Sequence, residues 1–207
     1  MNLIRKYFPD LAESQVEAFE LLGSLVRHWN AQINLVSRKD IDHLYLHHVL
    51  HSLAIARFIS FKDGTRVMDF GTGGGFPGIP LAIMYPDVDF HLVDSTGKKI
   101  KAVKAIVQGL RIENAFGIHA RAEEIDDCFD FITVRAVKDM SQMVEWCRGK
   151  IEAVQRNETD NGLLALKGGA VTEELARFPK ATVIDISDLF EEDFFETKKL
   201  VHLPLEG

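Results

Sequence analysis

The stretch Val67-Met-Asp-Phe-Gly-Thr-Gly-Gly-Gly-Phe-Pro-Gly-Ile-Pro-Leu81 constrains this chain more than any other. A short apolar run is followed by alternating Gly71, Gly73 and Gly75, and then by a second apolar run. Pro77 and Pro80 are compatible with a helix there only in its first turn, where the N–H that proline lacks has no intrahelical partner. The pattern predicts a buried strand, a glycine turn and a helix over Pro77–Tyr85. Alternating glycines let backbone lie against a ligand where a Cβ would collide. Asp69 precedes the first glycine by two residues, and Asp94 follows Gly71 by 23 residues, at the end of the next apolar run. An acid at that second position accepts hydrogen bonds from ribose hydroxyls. The two features together predict an adenosine cofactor held by Asp69, Gly71, Gly73 and Asp94.

The rest of the chain follows the same rhythm. Strands are predicted at Arg66–Phe70, Asp89–Asp94, Asn114–His119, Phe129–Val134, Gly162–Lys167, Ala181–Ile186 and Lys199–Leu203, with a helix over Thr96–Gly109. Strand–helix alternation implies a mainly parallel sheet covered by helices on both faces, with ligands at the carboxyl ends of its strands. Before Arg66 the periodicity is helical. Val16, Phe19, Leu22, Val26 and Trp29 recur at helix spacing behind an expected capping box Ser14-Gln-Val-Glu17, and a second helix is expected over about Asp40–Ile59. The expected organisation is a helical extension or cap over residues 1–60 and a catalytic α/β domain over 61–207. Asn30–Lys39 is a polar connector between the two helices.

Composition excludes some classes. At 46% hydrophobic and 27% charged residues the chain reads as globular, and it has no apolar run near the roughly 20 residues a bilayer requires. Met1-Asn-Leu-Ile-Arg-Lys-Tyr-Phe8 has no signal-peptide core. A cytoplasmic protein without a membrane partner is therefore expected. Cys128 and Cys147 form neither a disulfide framework nor a metal spacing, and the cluster His43, His47, His48, His51 lacks the accompanying acid of a zinc helix, so no metal is expected. The net charge of −7 is concentrated in the six acids of Asp185–Glu196, whose simplest reading is a solvated connection. Elsewhere the chain is nearly balanced, with local basic groups at Arg5/Lys6, Arg38/Lys39 and Lys98/Lys99/Lys101/Lys104 that phosphates would feel.

The turn also discriminates between cofactors. No Gly-Lys-Ser/Thr follows, which excludes a P-loop. A dinucleotide fingerprint would place a third glycine near position 76, where Phe76-Pro77 stand instead, and Asp69 would lie close to a diphosphate. These details favour S-adenosylmethionine, with a nicotinamide dehydrogenase as the rival. After the fourth strand the chain reads Thr133-Val-Arg-Ala-Val137 rather than the Asn/Asp-Pro-Pro-aromatic turn of amine methyltransferases, and neither cysteine sits in a nucleophile context. An acceptor that is already nucleophilic fits best. Guanine N7 is such an acceptor, because its lone pair needs no deprotonation and the site must chiefly supply in-line geometry.

Asn34-Leu-Val-Ser37, Asp69–Leu81, Val93-Asp-Ser-Thr-Gly-Lys-Lys99, Arg121-Ala-Glu-Glu124, Val134-Arg-Ala136 and Leu166-Lys-Gly168 occur in an order that resembles the RsmG (GidB) family of 16S ribosomal RNA guanine-N7 methyltransferases. The resemblance covers about residues 30 to 170. It implies a class I S-adenosylmethionine-dependent methyltransferase (Rossmann-like) fold, a mainly parallel seven-stranded sheet with an N-terminal helical extension. The implied substrate is 16S ribosomal RNA, free or in the small ribosomal subunit, at an unpaired or locally opened segment. Carried over by position, Gly71 and Phe76 match cofactor contacts and Asp94 the ribose acid. Ala122 and Glu123 match the pair beside the adenine, and Arg135 an arginine at the cofactor and substrate mouth. Asn34 and Lys167 match positions with RNA or catalytic roles. Two departures stand out. His51 occupies the place of the aspartate in the family's His-x-x-Asp-Ser, and Gly74 replaces a Pro or Ala, which is expected to loosen the loop. A contrasting expectation is an RNA-binding assembly module with a vestigial cofactor pocket.

Overall fold

A computed structural model of the protein describes residues 1–135 and 139–206. Seven strands form one sheet: β1 (Arg66–Phe70), β2 (Asp89–Asp94), β3 (Ala115–His119), β4 (Phe131–Arg135), β5 (Gly162–Gly168), β6 (Thr182–Asp185) and β7 (Lys198–Pro204). Their order is β3-β2-β1-β4-β5-β7-β6. The first five are parallel, and β7 runs antiparallel to both β5 and β6. The chain winds outward in opposite directions from β1 and β4, so the crevice at the carboxyl ends of these two strands is the topological switch point.

Alternation along the strands builds two cores. Val67, Phe90, Leu92, Phe131, Leu164 and Leu166 point to one face. That face is covered by α2 (Glu13–Asn30), α3 (His51–Phe58), α4 (Gly78–Met84) and α5 (Gly97–Leu110). Met68, Val93, Ile132, Val134, Leu163 and Ala165 point to the other face, under α6 (Met140–Cys147) and the short α7 (Thr172–Leu175). Residues on both sides of position 60 share the first core: Ile4, Phe19, Leu22 and Leu53 pack in one cluster with Val67 and Ile106. Helix α2 packs on α4 and α5, and α3 packs on α4 and β5, so these first helices are continuous with the layer that covers the sheet. Among the described residues no helix is long and apolar enough to cross a membrane.

Three local expectations differ from what forms. The cap of α2 is Ala12, two residues before Ser14: the helix starts at Glu13, and Gln15 Oε1 accepts from the Ala12 N–H at 3.0 Å. A glutamine at the third helical position makes that reach, and its amide nitrogen also donates to the carbonyls of Ile83 and Met84, tying α2 to α4. The expected helix over Asp40–Ile59 is a 3-10 turn (Ile41–His43), then a π-helical stretch (Leu44–Leu50), then α3. Asp40 explains the irregularity. Its carboxylate accepts from both His47 and His48, and seven residues of straight α-helix would rise about 10 Å, too far for that contact. The acidic run is not merely solvated. Lys6 pairs with Glu191 and Glu192, the Tyr7 hydroxyl donates to Glu192 and accepts from the Glu191 N–H, and Lys199 pairs with Asp185. These contacts fasten α1 (Asn2–Tyr7) to the C-terminal segment.

Candidate active site

The glycine turn is shaped by a carboxylate that it hides. Asp69 is fully buried, and its Oδ2 accepts from the Thr72 hydroxyl (2.6 Å) and the Gly78 N–H (2.9 Å), while Oδ1 accepts from the Thr133 hydroxyl (3.3 Å). Burial pushes the Asp69 carboxyl up to about 6, against the pull of these hydrogen bonds and of Arg135. With every bond directed into the protein, Asp69 holds β1, the turn and the start of α4 together. Asp69, expected among the cofactor contacts, thus lies beneath the turn with its oxygens bonded to Thr72, Gly78 and Thr133. Gly78 is required by the same packing, since a Cβ on it would stand 2.1 Å from Leu92 Cδ2 and 2.8 Å from Asp69 Oδ2. Gly78→Ala is expected to destabilise the protein by about 1–3 kcal/mol through overpacking, measured by urea unfolding. A change within about 0.3 kcal/mol would contradict this packing.

Gly71 faces the other way. Its φ of +68° is one that L side chains rarely adopt, and the place of a Cβ there is open space. It borders a cavity of about 110 Å³ lined by Phe70, Gly71, Val93, Asp94, Ser95, Arg121, Ala122 and Glu123. Gly71, Asp94, Ala122 and Glu123, expected from sequence to hold the nucleoside, therefore do converge, although they come from three separate elements. The Asp94 carboxylate is pinned: Oδ1 accepts from the Thr96 N–H (2.8 Å) and Oδ2 from the Gly73 N–H (3.0 Å). Gly73 thus acts through Asp94. Each Asp94 oxygen keeps a lone pair, the number two ribose hydroxyls require. The residues fit an adenosine cofactor: an open glycine wall, a fixed acceptor pair, and the short turn Ala122–Glu124 closing one side.

On the opposite side of the turn a second constellation forms. Phe76 is buried, and the Arg135 guanidinium lies 5.5 Å from its ring centroid. Among the described residues no carboxylate lies within 4 Å of Arg135. Burial works against its charge, while Asp69 and Asp40 support it. The His48 ring lies 5.4 Å from Phe76. Asp40 accepts from His47 Nδ1 and His48 Nε2, both at 2.5 Å. Burial works to raise the Asp40 carboxyl, but the two imidazoles outweigh it and hold the group below the ordinary range.

His48 and His51 are kept neutral by the fold. Burial first, then Arg135, pushes His48 down to about 4 and His51 to about 3; Lys198 adds to the effect on His51, and Asp40 opposes it at His48. His51, at the position of the family's aspartate, sits against the rings of Phe194 and Phe195. Both histidines have folded values below the unfolded one of about 6.5, so each stabilises the folded state above that pH and loses the contribution as pH falls toward the folded value. His51→Gln is expected to reduce the stability lost between pH 7 and pH 5 by about 2 kcal/mol, read from urea unfolding at the two pH values. An unchanged loss would show that His51 titrates normally.

The remaining candidates are dispersed. Asn34 is exposed, on a connector whose backbone is held by Asn30 Oδ1, which accepts from the Leu35 and Val36 N–H groups (2.9 and 3.0 Å). Leu35 rests on the turn at Gly74, where a Cβ would meet Leu35 Cβ at 3.1 Å and its carbonyl oxygen at 3.2 Å. Gly74 therefore serves a close approach, a reason different from the loosened loop expected of it. Lys167 is 7% exposed and bonded at 2.6 Å to Glu174, which also accepts from the Met140 N–H. Its ammonium is committed to joining β5, α6 and α7. Ala136 and Val137 of the motif after β4 lie outside the described residues. The sequence reading missed Asp40, Thr72 and Thr133; only the histidine cluster pointed toward Asp40.

Known proteins identify the family and the fold. The family described as rRNA small subunit methyltransferase G matches residues 15–200. The chain is 52% identical over 206 residues to the ribosomal RNA small subunit methyltransferase G of Christiangramia forsetii, covering 100% of this chain and 98% of that one. It is 54% identical to the protein of the same name from Porphyromonas gingivalis, covering 99% and 93%. Among solved structures, a SAM dependent methyltransferase from Aquifex aeolicus superposes with a TM-score of 0.58 at 13% identity, over 81% of this chain and 98% of that one. A SAM-dependent methyltransferase from Thiobacillus denitrificans in complex with S-adenosyl-L-homocysteine gives 0.52 at 14% identity, over 78% and 79%. These two likenesses bear on the fold, which is that of the class I methyltransferases.

Proposed function

Because the chain belongs to the rRNA small subunit methyltransferase G family, we propose that it methylates guanine N7 in 16S ribosomal RNA, with S-adenosylmethionine as donor, in the cytoplasm where small subunits are assembled. The observation that carries this reading is the Asp94 carboxylate, pinned between the Gly73 and Thr96 N–H groups at the edge of a cavity closed by Gly71, Ala122 and Glu123. In a family of RNA methyltransferases that arrangement fits the ribose and adenine of the donor. When bound, S-adenosylmethionine supplies an electrophilic sulfonium methyl, which guanine N7 takes by direct displacement.

The residues of the chain have the work of binding and alignment. Asp94 accepts from the ribose, and Gly71 and Ala122 offer backbone and a small apolar wall. Glu123 stands beside the adenine. Phe76 is buried between the His48 ring and the Arg135 guanidinium and supports both. N7 carries its own lone pair, so no general base is needed, and alignment of acceptor and methyl supplies most of the rate. Arg135, a guanidinium at the carboxyl end of β4 with no carboxylate within 4 Å among the described residues, suits a phosphate of the target RNA. Asn34, Arg38 and Lys39, exposed on the connector beside the turn, extend that contact. Lys167 supports the site through Glu174.

Two assays test the reading. S-adenosylhomocysteine should raise the unfolding temperature, and NAD should not. The reverse would favour a dehydrogenase. Borohydride and aniline treatment, which cleaves RNA at 7-methylguanosine, should produce one new stop in primer extension along small-subunit RNA after incubation with protein and donor. Donor binding without any new stop would favour an assembly module with a vestigial pocket.

A further inference from the structure

We propose that Asp40 reads the Watson–Crick edge of the target guanine, with His47 and His48 as its positioning residues; the inference rests on the guanine-N7 reading above. Asp40 ends the connector whose Leu35 lies on the glycine turn, and it bonds His48, whose ring lies 5.4 Å from Phe76, the ring that Arg135 approaches to 5.5 Å; Asp40 and Arg135 thus flank one mouth. Its carboxylate is about one-third exposed, and each oxygen is occupied by a single imidazole N–H at 2.5 Å. An ionised carboxylate has about four acceptor positions, so one on each oxygen remains available.

The two histidines orient this carboxylate. A carboxylate only accepts, so His48 carries its proton on Nε2, and its Nδ1 is buried with no partner among the described residues. A buried polar atom left unsatisfied is a cost the fold accepts, here in exchange for a fixed direction at Asp40. Phe76 supports the other side of the His48 ring.

Two adjacent acceptors with negative charge select guanine. Its N1–H and N2 amino group are neighbouring donors, a pattern that no other standard base presents on that edge. Adenine and cytosine offer an acceptor next to an amino group, and uracil offers one N–H between two carbonyls. The same contact favours the reaction. As the N7 lone pair forms the bond to the methyl carbon, the sulfur–carbon bond breaks with its electron pair left on sulfur, and the positive charge passes to the purine. The N1–H becomes more acidic as this happens, so its bond to a carboxylate is stronger in the transition state than in the ground state, the condition for raising turnover.

The test uses small-subunit RNA, free or assembled, in whichever form the wild-type protein methylates, with the mapped guanosine replaced by inosine, which lacks the amino group, or by 1-methylguanosine, which lacks the N1–H. Wild type should lose about tenfold in kcat/KM on inosine and a hundredfold or more on 1-methylguanosine. Its affinity for the inosine RNA without donor should fall about tenfold. Asp40→Asn should lower kcat/KM on guanosine about a hundredfold and remove the preference for guanosine over inosine, with S-adenosylhomocysteine affinity unchanged as the control for folding. Equal wild-type rates on guanosine and 1-methylguanosine would overturn the proposal without any variant. So would an Asp40→Asn protein that retains the wild-type preference. Failure of the wild type to methylate any guanine at N7 would instead overturn the functional reading itself, and the assignment of Asp40 with it.

Discussion

Replacing Asp94 by alanine is expected to weaken S-adenosylmethionine binding by about a hundredfold or more while leaving the protein folded. Each hydrogen bond from a ribose hydroxyl to a carboxylate contributes about 1.5–3 kcal/mol, and two are lost together. The substitution also releases the Gly73 and Thr96 N–H groups, which now end on the two Asp94 oxygens, so the glycine turn loses its tether to the start of α5. The sheet does not depend on this carboxylate: β2 pairs with β1 and β3 over its whole length, and Leu92 and Val93 stay buried in the two cores. Calorimetric titration with S-adenosylhomocysteine, beside a thermal unfolding curve, separates the effects. Asp94→Asn keeps the shape and one acceptor, and should fall between alanine and wild type. Unchanged affinity in the alanine protein would remove Asp94 from the cofactor site.

The second large effect is expected at Arg135. Arg135→Ala should lower kcat/KM for methyl transfer to RNA by about tenfold to a hundredfold, with a change of less than about threefold in S-adenosylhomocysteine affinity, because a charge-assisted contact to phosphate is worth about 1.5–3 kcal/mol. The asymmetry follows from its position. Arg135 leans on Phe76, on the side of the turn away from Asp94, and no described carboxylate within 4 Å claims its charge. Arg135→Lys keeps the charge but not the planar fork, so partial activity is expected from it. Full turnover in the alanine protein would remove Arg135 from the substrate mouth. A loss confined to cofactor affinity would move it to the donor side.

The contrast between Arg135 and Lys167 shows what the sequence could and could not reveal. Both are basic residues at the ends of neighbouring parallel strands, and the pattern treats them alike. Their difference lies in Glu174, seven residues beyond Lys167 and equally able to face solvent in any local reading; only the packing of α7 against β5 and α6 commits the lysine. Asp69 is a similar case. Its spacing from the glycines is visible, but whether such an acid meets a ligand or the protein depends on Thr72, Thr133 and the start of α4 arriving together.

What was legible rests on strong local signals. The strand β2 is expected and found at Asp89–Asp94, because it is an apolar run bounded by Pro86-Asp87 and by Ser95-Thr96-Gly97. The glycine turn carries its own steric requirement. The resemblance carried the identity of the acceptor, which no spacing within the turn encodes. The Asp40 cluster was obscure for the opposite reason. His47 and His48 meet Asp40 only because the chain departs from α-helical geometry between Ile41 and Leu50, and helix periodicity predicts a regular helix there. Contacts such as Tyr7 to Glu192, between the two ends of the chain, leave no local trace at all.

The central claim is most directly tested by incubating small-subunit RNA from a strain lacking this activity with the protein and methyl-labelled S-adenosylmethionine, then resolving the nucleosides by mass spectrometry. Label in 7-methylguanosine alone is expected. Label in another methylated nucleoside, or no label in RNA while the protein binds the donor, would contradict it.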